Sequence, residues 1–217
     1  MLKSIIFDVD GVLLETNAVA VECKLEVLKE YGLDLKDYEP VFSGISLKFL
    51  VEQINKDFNK NIDVDEFIDK RESMYEKRIG ESIKVFDGVR EFLSEVKSQG
   101  FSIGLGTSAT RRRFNVNIKA SKLDFEFDTI VTADDVENHK PAPDVYLKAA
   151  SNLGVLPENC IVIEDNPLGV EAAKKAGMKC IGITNSFSRD KLGDADFIVE
   201  RIGESAEFIK TIIAESL

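Results

Sequence analysis

The sequence predicts an α/β protein with a doubly wound parallel sheet and a small all-helical domain inserted after the first strand. Three observations lead to this fold class. The apolar run from Ser4 to Phe7 has the composition of a short buried strand. The segment from Asn17 to about Lys84 contains helical patterns and no convincing strand. From Val85 onward strand and helix patterns alternate, which predicts a parallel sheet covered by helices on both sides.

The first strand ends in two acidic residues. Asp8 and Asp10 follow it at positions i and i+2, and Gly11 lets the chain turn sharply just beyond them. Parallel sheets bind ligands at the carboxyl ends of their strands, and a buried carboxylate is costly without a cation, a donor or a proton. A divalent metal would give the largest compensation. The structural alternative is an aspartate-rich turn that caps the following helix.

Three amphipathic helical stripes follow. Their apolar positions are Ala18, Val21, Leu25 and Leu28, then Leu47, Leu50, Val51, Ile54 and Phe58, then Phe67, Ile68, Met74, Tyr75 and Ile79. An N-terminal strand can join the later sheet only if this helical segment leaves the sheet and returns to it. We therefore expect a core domain of residues 1–16 and 84–217 and a helical cap domain of residues 17–83. Linkers near 15–17 and 80–87 would let the cap close over the sheet edge.

The remaining elements alternate in type. The pattern predicts a helix over 88–99, a strand over Ser102–Gly106, a helix from about Arg111, a strand over Thr129–Thr132, a helix over Pro143–Leu153, a strand over Cys160–Glu164, a helix over Pro167–Ala176 ended by Gly177, and a strand over Lys179–Ile183.

Polar residues follow four of the predicted strands, and in a parallel sheet these strand ends lie along one edge. They are Asp8 and Asp10, Thr107 and Ser108, Asp134 and Asp135 with Lys140 beyond them, and Glu164 and Asp165. Carboxylates can hold Mg²⁺, a hydroxyl with nearby amides can hold phosphoryl oxygens, and a lysine can neutralise negative charge. Together these residue types predict a metal and phosphate site.

Each of these groups also has a purely structural interpretation. Thr107 and Ser108 precede a helix and are typical N-cap residues. The prolines that flank Lys140 explain a rigid helix entrance, and a lone lysine usually faces solvent. Glu164 and Asp165 suit a helix start because of the helix dipole. The functional interpretation is favoured because all these alternatives would have to hold at once.

Composition excludes several classes of function. The formal net charge is −11, and the only basic cluster is Arg111 to Arg113, so no nucleic-acid partner is expected. We interpret this cluster mainly as solvated surface, with Arg111 the best placed of the three to face a site. No run of about 18 apolar residues is present, so no membrane association is expected. Three separated cysteines fit reduced thiols and a cytoplasmic location. The single histidine, His139, has no nucleophile context, and no P-loop is present.

Four sequence motifs in order resemble those of the haloacid dehalogenase superfamily, in its phosphatase and phosphomutase branch with a small helical cap. They are Asp8-Val9-Asp10-Gly11-Val12, Gly106-Thr107-Ser108, Lys140-Pro141-Ala142-Pro143-Asp144 and Glu164-Asp165-Asn166-Pro167-Leu168-Gly169. The resemblance covers essentially the whole chain and implies a Rossmann-like core.

The resemblance also implies roles for these residues. Asp8 would attack phosphorus to form an aspartyl-phosphate, and Asp10 would protonate the leaving oxygen and later activate water. Thr107, with Ser108 beside it, would bind phosphoryl oxygens, and Lys140 would offset charge on the phosphoryl group and the nucleophile. The ligands of Mg²⁺ would be Asp8, the backbone carbonyl of Asp10, Glu164 and Asp165.

The expected function is therefore an Mg²⁺-dependent phosphatase that hydrolyses small phosphate monoesters such as sugar, polyol or glycolate phosphates. The expected partner is a small phosphorylated metabolite, and the expected state is a monomer or a homodimer. Asp10 argues against the dehalogenases, which lack this second aspartate. A β-phosphoglucomutase-like mutase is the main alternative: Thr16 fits it, but Ala20 stands where its cap histidine is expected and Leu47, beside Lys48, where its cap arginine is expected. A non-catalytic binding protein is the third alternative.

Overall fold

The computed structural model describes residues 2–38, 41, 45–80 and 82–215. Its centre is a sheet of six parallel strands in the order β3-β2-β1-β4-β5-β6. The strands are β1 Ser4–Phe7, β2 Ser102–Gly106, β3 Thr129–Val131, β4 Cys160–Glu164, β5 Lys179–Ile183 and β6 Phe197–Val199. This order reverses direction at β1, and open α/β sheets bind their ligands beside such a point.

Strand β1 lies in the middle of the sheet and is fully buried. Phe7 is in register with Leu105 of β2 on one side and with Ile163 of β4 on the other. The register therefore brings the residues that follow the three strands next to one another at the same edge.

Helices cover both faces of the sheet, as the sequence predicts. They are α4 Val89–Ser98, α5 Arg111–Ser121, α6 Asp144–Leu153, α7 Pro167–Lys175 and α8 Ser205–Glu215. Successive residues of a strand point to opposite faces. Accordingly Ile5 and Phe7 belong to one buried apolar cluster with Phe92, while Ile6 belongs to a second cluster with Tyr146.

Most predicted boundaries agree with the structure to within a residue or two. Strand β3 ends at Val131, because Thr132 starts a short 3₁₀ turn and its side chain accepts in a capping box with Asp135. Strand β6 and helix α8 are not predicted by the alternating pattern. The strand has only three residues, too few to show a clear periodicity.

The inserted segment contains helices α1 Asn17–Glu30, α2 Leu47–Asp57 and α3 Val64–Ile79. They share an apolar cluster of their own, which includes Leu28, Leu50 and Phe67. The predicted stripe of α1 is wrong in part: Ala18 is exposed, and the buried face is instead Ala20, Cys23, Lys24, Val27 and Leu28. Phe58, predicted to be apolar core, is exposed because it follows the last turn of α2.

The two segments that join the inserted helices to the sheet lie side by side. The Glu15 amide donates to the Lys84 carbonyl at 2.9 Å, and the Phe86 amide donates to the Leu13 carbonyl at 3.0 Å. The chain thus leaves and re-enters the sheet domain at one place. Across the described residues, no helix is both long and apolar enough to cross a membrane.

Candidate active site

A cavity of about 560 Å³ lies at the carboxyl ends of the central strands. Residues from the strand ends and from the inserted helices line it together. The strand-end residues among them are Asp8, Asp10, Thr107, Ser108, Lys140, Glu164 and Asp165, and the residues from the inserted segment are Asn17, Ala18, Ala20, Val21, Glu22, Lys24, Ile45 and Leu47. The structure therefore brings together the seven strand-end residues to which the sequence motifs assign a role.

Lys140 joins two carboxylates in the floor of this cavity. Its Nζ donates to Asp8 Oδ1 at 2.6 Å, to Glu164 Oε1 at 2.7 Å and to the Gly106 carbonyl at 3.0 Å. The side chain is buried, so the solvent-facing alternative is wrong. Burial lowers the pKa of Lys140, but the carboxylates of Asp8 and Glu164 outweigh it and raise that pKa.

Three buried carboxylates share this one lysine. Oxygens of Asp8, Glu164 and Asp165 all lie within 4.8 Å of one another. Burial, together with repulsion from Glu164 and against the attraction of Lys140, raises the pKa of Asp8 to about 7. The pKa of Asp165 is raised well above its usual range by burial and by the neighbouring Glu164. Such an excess of negative charge fits a divalent cation, and the donor set of carboxylate oxygens is the one that Mg²⁺ prefers.

Glu164 is held in place from several sides. The Tyr146 hydroxyl donates to Oε1 at 2.7 Å, and the backbone amides of Asp165 and Asn166 donate to Oε2 at 2.9 and 3.0 Å. Gly169 leaves the space for this carboxylate, because a Cβ there would lie 1.7 Å from Oε1. Tyr146 is a site residue that sequence reasoning misses, since it reads as an apolar position of α6.

Asn17 links the inserted helices to the acidic cluster. Its Nδ2 donates to Asp165 Oδ2 at 3.1 Å and to Ser186 Oγ at 2.7 Å. Asn185 donates to the Gly11 carbonyl at 2.8 Å. The loop after β5 is therefore a fifth contributor to the site, and the only sequence signal for it is a polar pair directly after a strand.

Thr107 and Ser108 line the cavity and do not cap helix α5. Thr110 is the N-cap, and its Oγ1 accepts from the Arg113 amide at 3.1 Å. Thr107 is buried, and its Oγ1 accepts from the Ala109 amide at 3.1 Å. The N-cap interpretation of Thr107 and Ser108 is wrong.

Asp10 is bound by residues from both sides of the cavity. Its carboxylate accepts from the Thr16 hydroxyl, from Asn117 Nδ2 at 3.1 Å, and from the Arg113 guanidinium, with which it forms an ion pair. Burial opposes ionisation, but Arg113 and Thr16 outweigh it and lower the pKa of Asp10. The carboxylate is thus held in its charged form.

The ion pair between Arg113 and Asp10 corrects the expectation that Arg111 is the arginine best placed to face the site. Arg113 reaches the site, whereas Arg111 binds Asp135 at 2.7 Å and Arg112 binds Glu76 at 2.6 Å. Successive residues of a helix point about 100° apart, so only one of the three can face the cavity.

Several other polar residues stay outside the site. Asp134 accepts from the Arg111 amide at the start of α5 at 2.8 Å, and Asp135 accepts from the Thr132 amide in a local turn at 2.7 Å, so both have structural contacts. His139 does not line the cavity. In the inserted segment, Ile45 lines the cavity and Lys48 and Phe49 are exposed, while Phe42 and Ser43, which the sequence also offers as residues that could line a site, lie outside the described residues.

Comparison with known proteins agrees with this geometry. The family model of haloacid dehalogenase-like hydrolases matches residues 5–183. YhcW of Bacillus subtilis, whose name proposes a phosphatase, is 38% identical over 194 residues, which are 87% of this chain and 86% of that protein. The phosphorylated carbohydrates phosphatase of Thermotoga maritima is 35% identical over 198 residues, which are 88% of this chain and 89% of that protein.

A solved structure has a similar fold. The β-phosphoglucomutase of Clostridium difficile matches with a TM-score of 0.88 and 26% identity, covering 100% of this chain and 99% of its own. These similarities support phosphatase or phosphomutase activity. Since the family model spans most of the chain and relatives exceed 30% identity over nearly their whole length, the chain belongs to the haloacid dehalogenase-like hydrolase family and is an enzyme.

Proposed function

We propose that this enzyme is an Mg²⁺-dependent phosphatase of small phosphate monoesters, such as sugar, polyol or glycolate phosphates. The observation that carries the proposal is the buried contact of Asp8 with Lys140, beside Glu164 and Asp165 in one cavity. This arrangement supplies a nucleophile, a counter-charge and a metal site within a few ångströms of one another.

In this proposal Asp8 is the nucleophile and forms an aspartyl-phosphate. Lys140 holds the Asp8 carboxylate by its Oδ1, which leaves the second oxygen free of that contact. The lysine also offsets the charge that accumulates when a phosphoryl group approaches a carboxylate. Thr107 and Ser108, at the next strand end, bind the phosphoryl oxygens.

The metal site consists of Asp8, Glu164, Asp165 and the backbone carbonyl of Asp10. When bound, Mg²⁺ neutralises the charge of the nucleophile and the phosphoryl group. The hydrogen bonds from Tyr146 and from the backbone amides keep Glu164 oriented toward this site.

Asp10 is the proton-transfer residue of the proposal. Its carboxylate protonates the leaving oxygen in the first step and takes a proton from water in the second. The ionised form that Arg113 and Thr16 hold is the form required for the second step. The first step requires that Asp10 carry a proton and turn away from Arg113.

We further propose that residues 17–83 act as a cap domain that covers the sheet edge. The support is the pairing of the two connecting segments, at Glu15 with Lys84 and at Leu13 with Phe86, which makes one narrow junction. A cytoplasmic location is proposed as well, supported by Cys23, Cys160 and Cys180, which are all free and buried.

A phosphomutase is the second candidate, favoured by the similarity to the solved β-phosphoglucomutase. Ala20 and Leu47, which stand where the mutase cap carries a histidine and an arginine, are buried and line the cavity here. Neither can exchange a proton or bind a phosphate. Comparing free phosphate with isomerised sugar phosphate, in the presence of a bisphosphate activator, separates the two functions.

The direct test is a panel of phosphate monoesters assayed for phosphate release with and without Mg²⁺. We expect turnover only with the metal, and its loss in Asp8→Asn. Asp134→Asn is the matched control, because Asp134 also follows a strand at this edge but bonds to the Arg111 amide. Full turnover by Asp8→Asn would end the nucleophile assignment, and turnover of no ester by the wild type would favour a binding protein.

A further inference from the structure

Lys24 is a buried cation that the mechanism above does not use. It lies on helix α1, in the inserted segment, and lines the same cavity as Asp8 and Lys140. Only 6% of the residue is exposed. Its Nζ donates to the backbone carbonyl of Val41, which is its one hydrogen-bond partner among the described residues. An ammonium has three donors, so within the described part of the chain this contact satisfies only one of them.

The charges around Lys24 do not compensate it. Arg71, fully buried, pairs with Glu72 at 3.1 Å, and Arg113 pairs with Asp10. Among the described residues, the two carboxylates nearest to these cations, those of Glu72 and Asp10, therefore each have a guanidinium partner, which leaves one positive charge in excess. The Nε atoms of Arg71 and Arg113 are likewise buried without a hydrogen-bond partner in the described part of the chain.

This excess has a clear energetic cost. Burial, together with repulsion from Arg71 and Arg113 and against the weaker attraction of Asp10, lowers the pKa of Lys24 to about 7. A buried charge without an ionic partner destabilises a protein. A ligand that brings an anion to this place would remove that cost, so the cavity favours such a ligand.

The position of Lys24 indicates which part of a ligand it meets. The phosphoryl group is bound at the strand ends by Lys140, Thr107 and the metal site. Lys24 comes from the inserted helices instead, and it is the only cation that the described residues of that segment bring to the cavity. Most of its neighbours on this wall are apolar: Ala18, Ala20, Val21, Ile45 and Leu47.

We propose that Lys24 binds a second anionic group of the substrate, on the alcohol part that leaves when the phosphoryl group is transferred. The preferred substrates are then phosphate esters that also carry a carboxylate or a second phosphate. Lys24 is in this sense a specificity residue, and the inference rests on the proposed phosphatase function.

The test compares matched substrates that differ in this second charge. The pairs are 2-phosphoglycolate with 2-hydroxyethyl phosphate, 3-phosphoglycerate with glycerol 3-phosphate, and fructose 1,6-bisphosphate with fructose 6-phosphate. For each pair, kcat/KM is measured with Mg²⁺ for both members. The value for the anionic member, which has the second anionic group, is then divided by the value for the member that lacks it. We expect the wild type to prefer the anionic member at least tenfold in one or more pairs. This preference needs no variant, and a ratio near one in every pair would overturn the proposal.

The variant Lys24→Met tests the residue itself. Methionine has a similar length and no charge, and replacing a buried charge by an apolar side chain is often neutral for stability. A hydrogen bond to a charged group is worth about 1.5–3 kcal/mol, so the ratio should fall roughly 10- to 100-fold. Lys24→Arg should restore part of it. Lys48→Met, at an exposed lysine of the same segment, is the control and should keep the wild-type ratio.

The outcomes separate a failure of the role given to Lys24 from a failure of the proposed phosphatase function. An unchanged ratio in Lys24→Met, with both members of each pair slowed equally, would overturn the role of Lys24 and leave the phosphatase function intact. If no ester of any pair is hydrolysed by the wild type, the proposed function fails and this inference fails with it.

Discussion

The substitution Gly169→Ala is expected to abolish most of the activity by displacing the Glu164 carboxylate. Gly169 lies in the first turn of helix α7, and its φ is not in the left-handed region, so the backbone itself accepts alanine. On propensity alone, alanine in a helix is about 0.5–1 kcal/mol more favourable than glycine. The added Cβ would however lie 1.7 Å from Glu164 Oε1 and 2.0 Å from its Cδ.

Glu164 must therefore move by about 1.5–2 Å to reach an ordinary van der Waals distance of roughly 3.5 Å. Its bonds to Lys140 and Tyr146, both 2.7 Å long, cannot survive that shift. With bonds to charged groups worth about 1.5–3 kcal/mol each, the loss exceeds the helix gain and leaves a net destabilisation of about 2–5 kcal/mol. A displaced metal ligand should also lower kcat/KM about 100-fold or more.

The assays are Mg²⁺-dependent phosphate release and equilibrium unfolding in urea. Gly203→Ala is the matched control, because no atom lies within 4 Å of its added Cβ and its φ is not in the left-handed region. It should keep wild-type activity and stability. Wild-type activity in Gly169→Ala would refute the claim that the position of Glu164 matters for the reaction.

Three further predictions follow from the same contacts. Tyr146→Phe removes the buried hydroxyl that donates to Glu164, so urea unfolding should show a loss of about 1.5–3 kcal/mol; an unchanged midpoint would contradict this. Arg113→Met removes the ion pair that lowers the pKa of Asp10 below 3.8. The stability from this pair is fully present above the unfolded pKa and is lost as the pH falls through the lower pKa of the folded protein. The difference between wild type and variant should therefore be largest near neutral pH and shrink in acid below the ordinary aspartate pKa, and a constant difference would refute the ion pair. Adding Mg²⁺ should raise the Tm of the wild type, since it offsets the excess carboxylate charge, and Asp165→Asn should show a smaller rise; an equal rise would exclude Asp165 as a ligand.

The sheet and the strand-end site could be predicted because short-range patterns determine them. A short apolar run such as Ser4–Phe7, followed by a glycine turn, indicates a buried strand, and parallel topology then places the following residues at one edge. Asp8, Thr107, Lys140 and Glu164 meet there although up to 156 positions separate them in the sequence.

The residues that were missed depend on long-range packing. Tyr146 reads as an apolar helix position, and only the fold brings its hydroxyl to Glu164. Arg111 and Arg113 differ by two positions on α5, and the rotation of that helix relative to the sheet selects Arg113. Hydropathy also misses part of the buried face of α1, because that face includes a lysine, Lys24, whereas the apolar Ala18 is exposed.

The central claim is that Asp8 becomes phosphorylated, and trapping the phosphoryl-enzyme tests it most directly. The enzyme is mixed with a good monoester and Mg²⁺, quenched in acid within the first turnover, digested, and mapped by mass spectrometry. We predict one phosphoryl group on the peptide that contains Asp8 and none in Asp8→Asn. In Asp10→Asn, which lacks the base for the second step, the phosphoryl group that forms should be lost more slowly. A phosphoryl group on any other residue, or none during rapid turnover, would contradict the account.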